Sequence, residues 1–415
     1  MRGVDIPFST PAHSATTFKA NVGIGSPPTF YTLIVDTGSA NTWVSARGSQ
    51  HPFKPTETSK ESKRSVSIRY GTGSFRGKLW YDRVTIGSLV VENQGIGVAE
   101  DAFGFEDGVD GILGLGLAEL TKEFLIKESD DDELEVIPTI IDNLVEQGKI
   151  KQRMFSISLD RISATLRRKD YKGEFRGVLT LGGTDPSRYT GEITYVPIPQ
   201  DKPSSKHWSF EQTITYGSSK EAGTEILKNG IGVIDSGSSV VHLTPGSFDA
   251  YRHATHADFD CISKLLSLPP NEKTNLKSLF FEIGGRSFEI APEEQVWPQE
   301  LNDVAGGPAE DSYLSYVELR SNNGVGISLI NGFTWLQHFY IVLDVDNKRI
   351  GFATATLPHA CLEPARPGED QSMHRMTSIR RTIERRISSL LSLLPCSSLS
   401  SYIRTLFTFW QKIMK

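Results

Sequence analysis

LIVDTGS, residues 33–39, ends an apolar run with an aspartate, a hydroxyl residue, a glycine and a serine. Such residues form turns, and one occurrence would be explained by the end of a strand. The pattern returns in IGVIDSGSS, residues 231–239, so Asp36 and Asp235 hold equivalent places in the two halves of the chain. A turn gives no reason for this repeat, whereas a pair of carboxylates that work together does.

Composition limits the class of protein. The chain has 415 residues, of which 38% are hydrophobic, which suits two globular lobes with a core each. Its three cysteines, Cys261, Cys361 and Cys396, exclude a disulfide-rich scaffold. The net charge of −6 combines an acidic body with a basic C-terminal end, and the acidic body argues against nucleic acid as a partner. The first residues contain no apolar signal-peptide core.

Strand signals dominate the chain. Short alternating apolar runs bounded by glycine, proline, asparagine and aspartate recur throughout, whereas helical patterns are confined to PTIIDNLVEQGKI, PGSFDAYRHATHADF and the C-terminal tail. Each half has an Asp-Thr/Ser-Gly element and, later, an apolar-x-Gly element around Gly114 or Gly332. The sequence therefore predicts an all-β protein with two lobes related by an internal repeat.

Two strand-end aspartates that meet across a pseudo-twofold axis have a definite chemistry. Like charges a few ångströms apart cannot both ionise readily, so one carboxyl keeps its proton. The ionised member can take a proton from a shared water while the other donates to a carbonyl oxygen, without a covalent intermediate. The residues beside each aspartate have matching roles. Gly38 and Gly237 allow the two loops to approach each other, and the hydroxyls of Thr37 and Ser236 can tie the loops together. Ser39 and Ser238 can hydrogen-bond the carboxylates and fix their orientation.

These motifs identify a family. VDTGSANTWVS, IRYGTGSFRGKLWYDRVTIGS, DGVDGILGLG, VLTLGGTDPSRYTGEITYVPI, IDSGSS and FYIVLDVDNKRIGFA resemble, in order and spacing, the pepsin-like aspartic endopeptidases, especially the fungal polyporopepsin branch. The resemblance implies a bilobal fold with a central cleft and hydrolysis of peptide bonds at acid pH, with hydrophobic residues preferred around the cut. It also implies polypeptide substrates, inhibition by pepstatin-type compounds, no cofactor or metal, a monomer, and a secreted or vacuolar location.

By the same resemblance, Tyr70 is the tyrosine of a flap hairpin that includes Gly71 and Thr72, and Trp43 hydrogen-bonds it through the indole N–H. The pocket before the scissile bond is implied to consist of Ile34, Phe103, Phe105 and Ile112, with Val233 facing the pocket after it. Two residues depart from the family pattern, namely Ser236, where threonine is usual, and Asn331, where an apolar residue is usual.

We predict four segments: an N-terminal leader (1–14), an N-terminal catalytic lobe with the flap (15–190), a C-terminal catalytic lobe (191–357) and a basic amphipathic or disordered tail (358–415). The tail has no run of eighteen apolar residues and so is not expected to span a bilayer. One interpretation is an interfacial helix with weak affinity for anionic membrane. The other, which we favour, is a dispensable appendage.

Other signals have competing interpretations. The alternative function is a catalytically silent pepsin-like binding protein, which the presence of both aspartates and the flap tyrosine disfavours. YGTGSFRG is followed by strand-like residues, which argues against a nucleotide loop. His253 and His256, near Asp258, Asp260 and Cys261, suggest a metal site less strongly than an exposed helix end. A Ser-His-Asp site at His242 has no motif to support it.

Overall fold

The computed structural model describes residues 3–11, 17–45, 51–71, 73–105, 108–127, 133–162, 174–200, 203–308, 310–319 and 326–356. The chain divides into one large unit, residues 1–259 and 264–358, and a second unit made of residues 260–263 and 359–415. The predicted tail, residues 358–415, lies outside the described residues, which end at residue 356. No helix in the described ranges is long and apolar enough to cross a bilayer.

Strands are the main regular structure of the described chain, as predicted. In the first half they are β1 (Val4–Pro11), β2 (Lys19–Ile24), β3 (Thr29–Asp36), β4 (Trp43–Val44), β5 (Lys60–Arg69), β6 (Ser74–Ile86), β7 (Leu89–Phe103), β8 (Gly111–Gly114), β9 (Met154–Leu159), β10 (Glu174–Leu181) and β11 (Tyr189–Pro197). In the second half they are β12 (Ser209–Gly217), β13 (Thr224–Ile234), β14 (Val241–Leu243), β15 (Asp258–Phe259), β16 (Leu266–Ser267), β17 (Ser278–Ile283), β18 (Arg286–Ile290), β19 (Tyr313–Leu314), β20 (Tyr316–Glu318), β21 (Leu329–Asn331), β22 (Phe339–Asp344) and β23 (Arg349–Ala355).

Helices in the described ranges are short, and the two longest have recognisable start signals. The α-helices are α1 (Ile140–Glu146), α2 (Pro245–Thr255), α3 (Asn302–Ala305) and α4 (Phe333–Leu336), and the 3₁₀ segments are Ala118–Phe124, Pro186–Arg188, Pro203–Lys206, Pro292–Glu294 and Gln299–Leu301. A capping box between Thr139 and Asp142 starts α1. Proline occupies the first position of α2, which ends at His256 in a left-handed conformation. Both longer helices lie within the segments predicted to be helical.

The large sheet has the strand order β11-β23-β22-β9-β10-β1-β2-β3-β8-β4-β7-β6-β5. It joins the two halves of the chain, because β22 pairs with β9 through Ile341 and Ile157. The second sheet, β18-β17-β12-β13-β21-β14-β20, belongs to the second half, and β15-β16-β19 form a small third sheet. The all-β prediction is confirmed.

The internal repeat is visible in the pairing of the strands that end at the two aspartates. β3 runs parallel to β8 with Val35 opposite Leu113, and β13 runs parallel to β21 with Ile234 opposite Asn331. Each aspartate motif therefore lies beside the apolar-x-Gly element of its own half, as the repeat indicated.

The N-terminal residues also contribute to the large sheet. Residues 4–11, which the sequence assigned to a leader, form β1 and pair with β10 from Val4 opposite Leu181 to Pro11 opposite Glu174. Ile6 and Phe8 of this strand are buried in the main core. The segment boundaries themselves stay predictions.

Candidate active site

Asp36 and Asp235 are held at the ends of buried strands by their neighbours in the repeat. The N–H of Leu115 donates to the carbonyl of Asp36 at 2.7 Å, and the N–H of Asp235 donates to the carbonyl of Asn331 at 3.1 Å. Val35 and Ile234, which precede the aspartates, are fully buried. Burial of the apolar run fixes each strand, and the carboxylate that follows it is fixed as a consequence.

Two hydroxyl residues tie the aspartate loops to each other. The Thr37 N–H donates to Ser236 Oγ at 3.1 Å, and the Ser236 N–H donates to Thr37 Oγ1 at 3.0 Å. Each hydroxyl also donates across, from Thr37 to the carbonyl of Ile234 at 3.0 Å and from Ser236 to the carbonyl of Val35 at 2.7 Å. Serine at position 236 therefore makes every bond that the position requires, and the methyl group of threonine is not needed for them.

The carboxylates are oriented by bonds within their own loops. Asp36 Oδ1 accepts the Gly38 N–H at 2.8 Å, and its Oδ2 accepts the hydroxyl of Ser39. The second loop repeats this arrangement, with the Gly237 N–H donating to Asp235 Oδ1 at 2.9 Å and the Ser238 hydroxyl donating to Oδ2 at 2.7 Å.

The glycines bring the two carboxyl groups face to face. A Cβ atom at Gly38 would lie 2.6 Å from Asp235 Oδ1, and one at Gly237 would lie 2.7 Å from Asp36 Oδ1. Each loop thus passes so close to the opposite carboxyl that no side chain fits, and the need for glycine comes from this contact.

The two aspartates differ in environment. Asp36 is buried and Asp235 is partly exposed. Burial raises the pKa of Asp36, and the negative charge of Asp235 raises it further, whereas the bonds from Ser39 and Gly38 only partly oppose this. The surroundings of Asp36 therefore favour the protonated form of its carboxyl group. Such a pair can donate one proton and accept another at the same time.

A hairpin formed by β5 and β6 carries Tyr70. Its turn is closed by the Tyr70 N–H, which donates to the carbonyl of Gly73 at 2.7 Å, and the Trp43 indole N–H donates to the Tyr70 hydroxyl at 2.8 Å. Burial raises the pKa of Tyr70, so its hydroxyl keeps its hydrogen. Gly71 is in the turn, and Thr72 lies outside the described residues.

Three of the predicted pocket residues gather around Trp43. Ile34 and Ile112 are buried in its apolar cluster, and the ring of Phe105 contacts the edge of Trp43 at 5.0 Å and Tyr70 at 5.7 Å between centroids. This cluster, with Trp43 fully buried at its centre, holds the hydroxyl of Tyr70 in place.

The other two predicted pocket residues lie apart from this cluster. Phe103 ends β7 opposite Ser74 and is 63% exposed. Val233 is buried in β13, between Ser209 of β12 and Ile330 of β21. His207 was not singled out by the sequence, although its ring lies at the Gly38 backbone and burial lowers its pKa. No local pattern announces this contact, because it joins the two halves of the chain.

The remaining alternatives lose support. The described ranges contain no group of three or more histidine, cysteine, aspartate or glutamate side chains that could hold a metal ion. His256 Nδ1 instead lies 3.3 Å from Glu272, and Cys261 is disulfide-bonded. β5 ends at Arg69 and β6 begins at Ser74, so the glycine-rich stretch is followed by a strand and not by a helix. His242 lies on β14, where burial lowers its pKa.

The chain resembles known proteins in both sequence and structure. Residues 17–355 match the family model described as eukaryotic aspartyl protease. The chain is 42% identical to polyporopepsin of Irpex lacteus over 343 residues, which are 83% of this chain and 95% of the relative. It is 28% identical to human gastricsin over 366 residues, or 85% of each protein. The crystal structure of the Irpex lacteus aspartic proteinase superimposes with a TM-score of 0.76 at 40% identity, covering 86% of this chain and 98% of the other.

Proposed function

The chain belongs to the eukaryotic aspartyl protease family and is an aspartic endopeptidase, and we propose that Asp36 and Asp235 are its catalytic pair. The observation that carries this proposal is the reciprocal approach of each loop glycine to the opposite carboxyl. In this proposal the two oriented acids share one water molecule, and the burial of Asp36 favours the proton on that carboxyl.

The proposed reaction begins from this protonation state. Asp235 takes a proton from the shared water, and the water oxygen attacks the carbonyl carbon of the substrate. At the same time Asp36 gives its proton to the carbonyl oxygen. The resulting tetrahedral diol collapses when Asp235 returns its proton to the leaving nitrogen and Asp36 recovers the proton of one hydroxyl. The C–N bond breaks, a carboxylic acid and an amine are released, and the pair regains its initial protonation state.

The flap and the apolar cluster supply substrate contacts in this proposal. The hydroxyl of Tyr70, held by Trp43, lies over the scissile bond, and Gly71 and Thr72 are assigned to the same flap. Ile34, Phe105 and Ile112 favour a large apolar side chain before the cut, because burying that side chain removes apolar surface from water. Phe103 and Val233 complete the proposed pockets, and hydrophobic residues around the cut are preferred for this reason.

Polypeptides are the substrates, as the family implies. We further propose a monomer that is inhibited by pepstatin-type compounds and acts in a secreted or vacuolar location. The disulfide at Cys261 supports an oxidising compartment, because disulfides persist there and are rare in the cytosol. For residues 358–415 the proposal remains a dispensable appendage, and weak membrane contact remains the alternative.

The catalytic assignment is tested with Asp36→Asn, Asp235→Asn and the double variant. Each single substitution should abolish proteolysis at acid pH with an unchanged circular dichroism spectrum, and the double variant should lose little more, because the two groups act as a unit. Asp258→Asn, which alters an exposed aspartate, is the matched control and should keep full activity. Substantial activity in either single variant would overturn the assignment.

A further inference from the structure

Two buried side-chain carboxamides lie beside Gly232, in the strand that leads to Asp235. Gln212 lies on β12 and Asn331 on β21, on either side of β13, and they are 1% and 0% exposed. None of their four side-chain polar atoms has a hydrogen-bond partner as the side chains are oriented in the structure. A buried amide without partners is unfavourable, since it gives up its bonds to water for nothing.

Strand pairing brings these amides together over Gly232. Gly232 lies between Phe210 of β12 and Leu329 of β21. Gln212 follows Phe210 by two residues and Asn331 follows Leu329 by two residues, so both side chains lie on the face of the sheet to which a Cβ of Gly232 would point. A Cβ atom at Gly232 would overlap Gln212 Nε2 and lie 2.7 Å from Asn331 Nδ2. Both amide nitrogens therefore surround the place of the missing Cβ, and they are no farther apart than the sum of these two short distances.

From this placement we infer that Gln212 and Asn331 form a hydrogen-bonded carboxamide pair across Gly232 that positions Asp235. A half-turn of either amide about its last C–C bond exchanges its oxygen and nitrogen at almost no steric cost. The nitrogen of one amide then faces the oxygen of the other, and the unfavourable arrangement becomes an N–H···O bond. Gly232 is required because the pair occupies the volume that any side chain would need.

The connection to Asp235 runs through the backbone of the Asn331 segment. The carbonyl of Asn331 accepts the Asp235 N–H at 3.1 Å, and the N–H groups of Phe333 and Thr334 donate to the carbonyls of Ser238 and Ser239 at 2.7 and 3.1 Å. Residues 331–334 thus hold the loop that bears Asp235, and the amide of Asn331 anchors this segment to β12. The inference rests on the proposed role of Asp235 in catalysis.

The other half of the molecule shows that the fold does not demand this pair. By the internal repeat, Leu33 corresponds to Gly232 and Leu113 corresponds to Asn331, and both leucines are fully buried. Apolar side chains therefore fill the same places beneath Asp36. We accordingly expect that the pair can be replaced as a unit but not one member at a time.

The test is a double-mutant cycle with Gln212→Val and Asn331→Val in the full chain, since valine suits a strand and has no polar atoms. Each single variant leaves one buried amide unpaired and should lower the folding equilibrium constant by about tenfold or more, measured by urea unfolding. The double variant should be more stable than the sum of the single effects predicts. Additive effects would overturn the pair, including the case in which each amide is bonded to its own water.

Gly232→Ala gives an independent measurement. In the wild-type background its methyl group collides with both amides, so the variant should be strongly destabilised, whereas in the Gln212→Val/Asn331→Val background it should be tolerated. Gly246→Ala is the matched control, because a Cβ there meets nothing within 4 Å. If Gly232→Ala is harmless in the wild type, or equally harmful in both backgrounds, the proposed packing is wrong.

Kinetics separate positioning from stability. At temperatures where all variants are folded, each valine variant should lose about tenfold in kcat with KM changed less than about twofold, because a displaced Asp235 affects the reacting atoms more than binding. The double variant should recover most of kcat. Unchanged kcat in both single variants would limit the pair to stability and overturn its role at Asp235. The unfolding cycle does not depend on activity, so it fails separately from the catalytic assignment.

Discussion

Replacing Asp36 with asparagine should make the protein more stable at neutral pH while it stops catalysis. Asparagine has the shape of a protonated aspartate, and its oxygen can accept the Gly38 N–H that now donates to Asp36 at 2.8 Å. It differs in that it has no proton to lose. The pKa of Asp36 is raised by burial and by the charge of Asp235, so the fold opposes ionisation at this position.

The size of the effect follows from proton linkage. Because the folded pKa is raised, the folded chain holds a proton that the unfolded chain releases above about pH 4. Stability therefore falls as the pH rises above that value, by at most about 1.4 kcal/mol per pH unit for one proton. Between about pH 5 and pH 7, the free energy of unfolding of Asp36→Asn should thus gain up to about 2.7 kcal/mol on that of the wild type.

Urea unfolding followed by tryptophan fluorescence measures this difference. Curves for the wild type and Asp36→Asn are compared at intervals between about pH 4 and pH 7, and the intact mass of the chain is checked afterwards to exclude self-cleavage. Asp258→Asn, at an exposed site, should show no such pH dependence relative to the wild type. If the free-energy difference between Asp36→Asn and the wild type stays constant across this range, the raised pKa of Asp36 is refuted.

Four further outcomes are expected. The rate of peptide hydrolysis should follow a bell-shaped pH profile centred below about pH 6, because one proton must remain on the pair, and a neutral optimum or a requirement for added metal would contradict this. Trp43→Phe, which removes the N–H bonded to Tyr70, should lower kcat/KM by about tenfold with the fold intact, and an unchanged value would show that the bond is not used. Peptide mapping should reveal weak cleavage after lysine in the wild type, because Thr72 has no charge to pair with the ammonium group, and a gain with Thr72→Asp. Lysine as a leading residue in the wild-type profile would contradict this. A chain truncated after Thr356 should fold and cleave like the full chain. Loss of activity in the truncated chain would instead show that the tail is part of the fold. If only the full chain sediments with anionic vesicles, the membrane interpretation is favoured.

Local patterns carried much of the fold. Alternating apolar residues and their turn boundaries predicted the strands, and the helical patterns placed α1 and α2, because these features depend on neighbours a few residues away. The repeat of an aspartate after an apolar run was enough to nominate Asp36 and Asp235. Their chemistry followed from the expected proximity of two like charges. The repeat implied that the carboxyl groups are close but gave no distance between them.

Tertiary structure decided what depends on contacts between distant parts of the chain. Only the fold shows that the loop glycines Gly38 and Gly237 face the opposite carboxyls, or that Asp36 is the more deeply buried of the two acids. It also places residues 4–11 in the large sheet, where their partner is β10.

Asn331 illustrates the same limit most clearly. In the sequence it was only a departure from an apolar pattern, whereas in the structure its side chain meets Gln212 over Gly232. The sequence determines which residues are present and their local periodicity. Which polar groups are buried together is set by strand pairing between segments far apart in the chain, and that pairing exists only once the chain has folded.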